Sequence, residues 1–324
     1  MSSGPSFGAY QDPSAEQPVC PRHPDRVTYV RCQRCNRPVC GECQRPSQVG
    51  VLCVDCVREH QRALPREQRA PKFTDRHGRA VPLATYIIIG LTTLVYGLQW
   101  VGQLIPGFPD VYNLFLYSPL HTSQAALELH EFVPWLDFEP WRMLTSALVH
   151  SMGSPIHLVL NMAVLWMIGR QIEQFLGAAK FVAIYVLSAF GGAVAVLFLA
   201  APESAVVGAS GAVYGLFAAL WMIGRRMGAD TRGITILIVI NFAFSFLGAG
   251  ISWQGHLGGF LTGLGASVPA LIADRKQRDR VSTPETRKSL NRRTWGGLVI
   301  VAIVLVALTV VGALLIDTES LLAR

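Results

Sequence analysis

Two short stretches of this 324-residue chain set chemically capable side chains into strongly apolar surroundings. In "VVGASGAVYG", residues 206–215, the hydroxyl of Ser210 is flanked by Gly208 and Gly211. In "WQGHLGGFLTGLG", His256 stands beside glycines 255, 259 and 263, spaced four apart. Small residues with a serine among them are common where membrane helices pack, and that is the plain structural reading. A serine hydroxyl becomes a useful nucleophile only when a base takes its proton, and imidazole is the usual base. A hydrolase also needs donors for the oxyanion. "PIHLVLN" puts His157 and Asn161 one helical turn apart on one face, and with the Ser210 backbone N–H they could cradle a developing negative charge.

A different chemistry is written at the front. All 7 cysteines lie between Cys20 and Cys56, as "CPRH", "CQRC", "CGEC" and "CVDC". With His23 they make four ligand pairs, Cys20/His23, Cys32/Cys35, Cys40/Cys43 and Cys53/Cys56, each with a two-residue gap. Such a gap points both side chains at one ion, and four ligands complete a tetrahedral zinc site, so two structural Zn²⁺ are expected. An odd cysteine count argues against a disulfide framework. The pattern resembles the B-box type of zinc finger. That resemblance implies interleaved pairs, Cys20, His23, Cys40 and Cys43 at one ion and Cys32, Cys35, Cys53 and Cys56 at the other. Sequential pairing is equally acceptable chemically. His60 reads as a solvated side chain.

The elements that must carry the serine and histidine are membrane spans. The chain is 51% hydrophobic and 15% charged, with a mean hydropathy of +0.36, too apolar for a soluble globule. Segments near 83–105, 157–176, 180–201, 208–224, 233–250, 253–273 and 296–316 are long enough or nearly long enough to span hydrocarbon. No signal peptide is expected at the N-terminus. Of the 28 Lys and Arg, all but Arg142 and Arg324 fall on alternate loops on one side, so the N-terminus is expected in the cytoplasm and the C-terminus outside. The net charge of +7 is then a topology signal, and nucleic acid is not an expected partner. With spans alternating, the fourth and sixth both enter from outside, which brings Ser210 and His256 to similar depth. Ionisable residues within spans are costly and mark function.

These motifs together resemble the rhomboid family of intramembrane serine proteases. The resemblance rests on "GASG" around Ser210, "HLGGFLTG" from His256, "EPWR" at 139–142, the His157/Asn161 pair and "GRQIEQFLG" at 169–177, a G-x-x-x-E-x-x-x-G pattern. It implies Ser210 as nucleophile and His256 as general base, a dyad without an acidic third member. It implies Tyr214 packed against His256 to orient it, His157 and Asn161 lining the oxyanion hole, and Glu173 and Arg142 as structural groups. The family usually has four residues between its two second-span histidines, whereas six separate His150 from His157, so His150 takes a structural hydrogen-bonding role.

The expected architecture is an all-α polytopic membrane protein, a six-helix rhomboid-like bundle with a seventh helix, preceded by a small two-zinc cytoplasmic module. The boundaries are a disordered tail 1–16, the zinc module 17–62, a basic linker 63–80, the protease domain 81–273, a basic linker 274–295, the seventh helix 296–316 and an outer tail 317–324. The expected setting is the plasma membrane. The expected partners are transmembrane protein substrates, the lipid bilayer, and a protein bound by the zinc module. The competing function is a catalytically inactive rhomboid-like protein that binds membrane clients.

Overall fold

The structure is a computed structural model that describes residues 17–47, 50–63, 81–129, 137–247, 250–278 and 284–316. The tails 1–16 and 317–324, and the tether beyond residue 63, lie outside the described residues. The chain divides into two compact units, one within residues 1–80 and one within 81–324.

The first unit has two antiparallel ribbons and a helix. Strands β1 (Val19–Cys20) and β2 (His23–Val27) pair with Cys20 opposite His23. Strands β3 (Gln44–Ser47) and β4 (Gly50–Cys53) pair from Gln44↔Cys53 to Ser47↔Gly50, and α1 (Val54–Ala63) follows directly. The buried apolar cluster here is made of cysteines 20, 32, 40, 43, 53 and 56, with Val39. A module with so little apolar side chain to bury needs a metal to hold it.

The second unit is helical. Its first long helix, α2 (Leu83–Leu104), has 22 residues, which is about 33 Å of rise and enough to cross hydrocarbon. Short helices α3 (Val111–Phe115), α4 (Gln124–Leu129) and α5 (Arg142–Thr145), with a 3₁₀ turn at Pro119–Thr122, organise the following loop. The second span runs from α6 (Ile156–Val164) through a π segment (Leu165–Gly169) into α7 (Arg170–Leu176). Then come α8 (Ala178–Leu199), α9 (Ser210–Arg226), α10 (Arg232–Leu247), α11 (Trp253–Arg278) and α12 (Pro284–Leu314). Among the described residues, four helical stretches are long and apolar enough to cross a membrane: Leu83–Leu104, Ala178–Leu199, Trp253–Ile272 and Lys288–Leu314. Among the described residues, each of the seven sequence segments is mostly helix.

The segment expected as a linker over 274–295 is mostly helix. α11 continues to Arg278, and α12 begins at Pro284 with Glu285 in its first turn. Proline at a helix start and an acid in the first turn both favour helix initiation there. α12 then docks on α11 through small residues: a Cβ on Gly297 would collide with the ring of Pro269, and the Thr294 hydroxyl reaches Pro269 O at 3.4 Å.

Helix α9 is the buried axis. Ala212, Val213, Leu216, Phe217, Ala218 and Ala219 are all nearly inaccessible, whereas α10 exposes Ile236, Val239, Phe244 and Leu247, side chains suited to lipid. Two glycine pairs let α11 lie against α9. A Cβ on Gly259 would overlap the carbonyl of Gly211, and one on Gly263 would overlap Gly215. The expected glycine stripe therefore sits where two backbones touch.

Candidate active site and metal centres

Ser210 is the first residue of α9, so its N–H has no intrahelical acceptor. Its Oγ lies 2.9 Å from His256 Nε2. The Tyr214 ring stacks on the His256 ring, with centroids 4.1 Å apart and planes 12° apart. The i, i+4 spacing of Ser210 and Tyr214 presents both to the one imidazole. Three residues singled out from sequence thus converge, carried by two helices that glycines bring into contact.

Just before Ser210, Gly208 packs against His157 of α6. The backbone at Gly208 has φ +115°, and a Cβ there would lie 2.7 Å from His157 Cε1, so only glycine suits the position. His157 Nδ1 accepts from Ser151 N–H at 3.3 Å, which leaves Nε2 as the protonated nitrogen of the neutral ring. Asn161 Nδ2 donates to His157 O at 2.8 Å, which uses one amide hydrogen and leaves the second. A cleft here is lined by Ser210, Gly208, Gly211, Gly192, Ala193 and Ser146, among other small residues.

His150 is fully buried and serves as a strut. Its Nε2 accepts from the Ala209 N–H at 3.3 Å, one residue before the serine. Its own backbone is clamped by Gln99 of α2: Gln99 Nε2 donates to His150 O at 2.8 Å, and Gln99 Oε1 accepts from His150 N–H at 3.0 Å. Gln99 was not legible as a site residue. The one available signal was an amide inside an otherwise apolar span.

Glu173 and Arg142 are joints. The Glu173 carboxylate accepts from Ala84 N at 2.9 Å, Thr85 N at 2.8 Å and Thr85 Oγ1 at 2.7 Å, capping the start of α2. The Arg142 guanidinium pairs with Glu139 and donates to the carbonyls of Asn113 and Leu116, tying α3 to α5.

In the first unit the eight ligands form two groups, Cys20, His23, Cys40 and Cys43, and Cys32, Cys35, Cys53 and Cys56, with donor atoms within 4.8 Å of one another. The pairing is interleaved: the first and third pairs share one group, and the second and fourth share the other. Cys35 and Cys53 Sγ are 3.7 Å apart, close to the edge of ~3.8 Å expected for thiolates tetrahedrally placed around zinc. His23 turns Nδ1 toward Cys40 and Cys43 at 3.3 and 3.4 Å, and its Nε2 faces Glu42 at 3.8 Å, the outer carboxylate that orients many ligating histidines.

Burial opposes ionisation of Cys20 and Cys32. Backbone donors at Cys40 and Arg22 around the first, and at Cys35, Cys53 and Arg34 around the second, nevertheless bring both thiols down to about 6. Burial and neighbouring thiols push Cys43 up to about 11 and Cys56 up to about 12. Soft thiolate and imidazole donors gathered this closely fit metal ions at both places.

Comparison with known proteins places these geometries in a family. The Rhomboid domain model matches residues 137–272. RHOMBOID-like protein 2 of Arabidopsis thaliana is 31% identical over 220 residues, covering 63% of this chain and 67% of that protein. The chain belongs to the rhomboid family. This rhomboid protein is also 35% identical to Arabidopsis RHOMBOID-like protein 5 over 133 residues, and 35% identical over 133 residues to RHOMBOID-like protein 6, mitochondrial. It spans 42% of the length of each of those two relatives. The family match ends before α12 and begins after the cysteine module, so both lie outside the shared domain.

Proposed function

We propose that this chain is an intramembrane serine endopeptidase that cleaves transmembrane proteins by a Ser210/His256 dyad. The observation that carries the proposal is the 2.9 Å contact between Ser210 Oγ and His256 Nε2, with Ser210 lining a cleft. His256 takes the hydroxyl proton as Ser210 Oγ attacks the scissile carbonyl. The Ser210 N–H, the His157 Nε2–H and the free Asn161 amide hydrogen supply donors for the resulting oxyanion, each such donor contributing about 3 kcal/mol of transition-state stabilisation. His256 then passes its proton to the leaving amine as the C–N bond breaks. Water, deprotonated by the same imidazole, hydrolyses the acyl-enzyme. Tyr214 holds the ring by stacking.

The two cysteine-rich groups hold one Zn²⁺ each, a purely structural role because all four positions are filled by protein. The asymmetry of Lys and Arg supports a cytoplasmic N-terminus, an extracytoplasmic C-terminus and a plasma-membrane setting, so the cleft opens toward the outer face. A protein partner docks on the zinc module. The client-binding alternative would not need the serine and imidazole in hydrogen-bond contact.

A fluorophosphonate probe tests this reading. Labelling of Ser210, located by mass spectrometry and abolished in Ser210→Ala and His256→Ala, together with cleavage of a single-span reporter, is the expected result. An unlabelled, folded wild type would refute the reading.

A further inference from the structure

We propose that Ser245 of α10 is a positioning residue that fixes the tautomer of His256, so that the catalytic unit is a chain of three side chains. This rests on the Ser210/His256 reading given above. Ser245 is almost fully buried, 3% exposed, and its Oγ lies 2.6 Å from His256 Nδ1, on the opposite edge of the ring from Ser210.

The direction of every hydrogen bond in this cluster follows from the one hydrogen that a hydroxyl carries. Ser245 Oγ donates to Asn241 O at 2.8 Å, one helical turn back. Its hydrogen is thereby used. It must accept from both other neighbours, the Tyr214 O–H at 3.0 Å and His256 Nδ1 at 2.6 Å. His256 Nδ1 therefore bears the proton. In the neutral ring the lone pair is then on Nε2, the atom facing Ser210. Had Ser245 kept its hydrogen for His256, the ring would protonate on Nε2 and could not accept the Ser210 proton.

Helical geometry settles the choice, because a serine within a helix donates readily to the carbonyl four residues back. After proton transfer, both imidazolium N–H groups have an oxygen before them. A neutral hydroxyl does this without placing a second ionised group among apolar helices, where it would be costly. Tyr214 is held by the same oxygen, so its stacking and the tautomer are set by one atom.

Purified full-length protein in detergent micelles tests the assignment by kinetics and by histidine ¹⁵N NMR, with His256 assigned by its absence in His256→Ala. The wild type is expected to show His256 unprotonated at Nε2. Ser245→Ala should mix the two tautomers and lower kcat and the fluorophosphonate labelling rate about tenfold, the scale of one lost hydrogen bond, with KM unchanged. Ser245→Thr, which keeps the hydroxyl, should restore both readouts. A melting temperature measured on each variant separates a positioning effect from unfolding. Wild-type kcat in Ser245→Ala, an unchanged His256 tautomer, or activity losses that track melting temperature across the variants would overturn the proposal. A wild type that neither labels nor cleaves would instead sink the protease reading, and the ¹⁵N tautomer would still decide the role of Ser245.

Discussion

Gly259 rests on the Gly211 carbonyl with no room for a Cβ between them. That contact sets the separation of α9 and α11, and with it the distance from Ser210 to His256. Gly259→Ala is expected to push the helices apart, destabilise the protein by about 1–3 kcal/mol as overpacking does, and cut the labelling rate at Ser210. Thermal unfolding and labelling on one preparation would check it. Full activity with an unchanged melting temperature would show that the contact is not limiting.

In the proposed dyad Ser210 and His256 act as one unit, so their losses should not add. The double variant Ser210→Ala/His256→Ala is expected to retain the same residual cleavage as either single one, several orders of magnitude below wild type. Multiplicative losses in reporter cleavage would argue for separate roles.

The interleaved ligand groups make a sharp statement about metal loss. Purified under reducing conditions, the full chain should contain two zinc ions by elemental analysis, and Cys32→Ser should lose the ion shared with Cys35, Cys53 and Cys56. The group containing His23 should keep its ion. Loss of both ions in Cys32→Ser and retention of both in Cys20→Ser would contradict the grouping. Chelation should unfold this module, whose buried cluster is largely the ligands themselves.

Glu173 tests architecture separately from chemistry. Its carboxylate satisfies three donors at the start of α2, so Glu173→Ala leaves buried N–H groups without partners. Each such group costs about 1–3 kcal/mol. The expected result is a marked drop in melting temperature, with labelling at Ser210 retained well below it. Lost labelling in a folded variant would mean that the cap also governs the site.

Where the substrate is cut follows from the depth of the site. In the orientation proposed above, with the cleft toward the outer face, cleavage is expected in or just above the outer third of a substrate span, and the released fragment should leave on the extracytoplasmic side. A helix hides its carbonyls in its own hydrogen bonds, so glycine near the cut should raise the rate by loosening it. The small residues lining the cleft should disfavour bulky side chains beside the scissile bond. Mass spectrometry on reporters with shifted glycines would map the cut. Cutting near the cytoplasmic end would refute the orientation.

Much of this was legible without coordinates because it depends on spacing and polarity along the chain. Apolar runs near bilayer length marked all seven helices, and charge asymmetry suggested their direction. Glycines four apart announced a helix contact, and paired cysteines announced metal sites. Residues four apart, such as His157 and Asn161, share a helical face by periodicity alone. What the sequence left open were relations between residues far apart in it.

The cysteine pairing was one, since either partition obeys the same local geometry and only the fold of the loops chooses. The partner of Gln99 was another: an amide in a span can face lipid, solvent or protein, and 51 residues separate it from His150. Ser245 was the third. Nothing marks one hydroxyl on an apolar helix until α10 and α11 are set side by side and its oxygen meets the far edge of the imidazole. Sequence alone determined which groups stand in apolar helices and near which end of each, because hydrophobicity and helical rise are local. Which atoms face each other was decided by tertiary packing, because hydrogen bonds act over about 3 Å and only the assembled bundle brings those atoms so close.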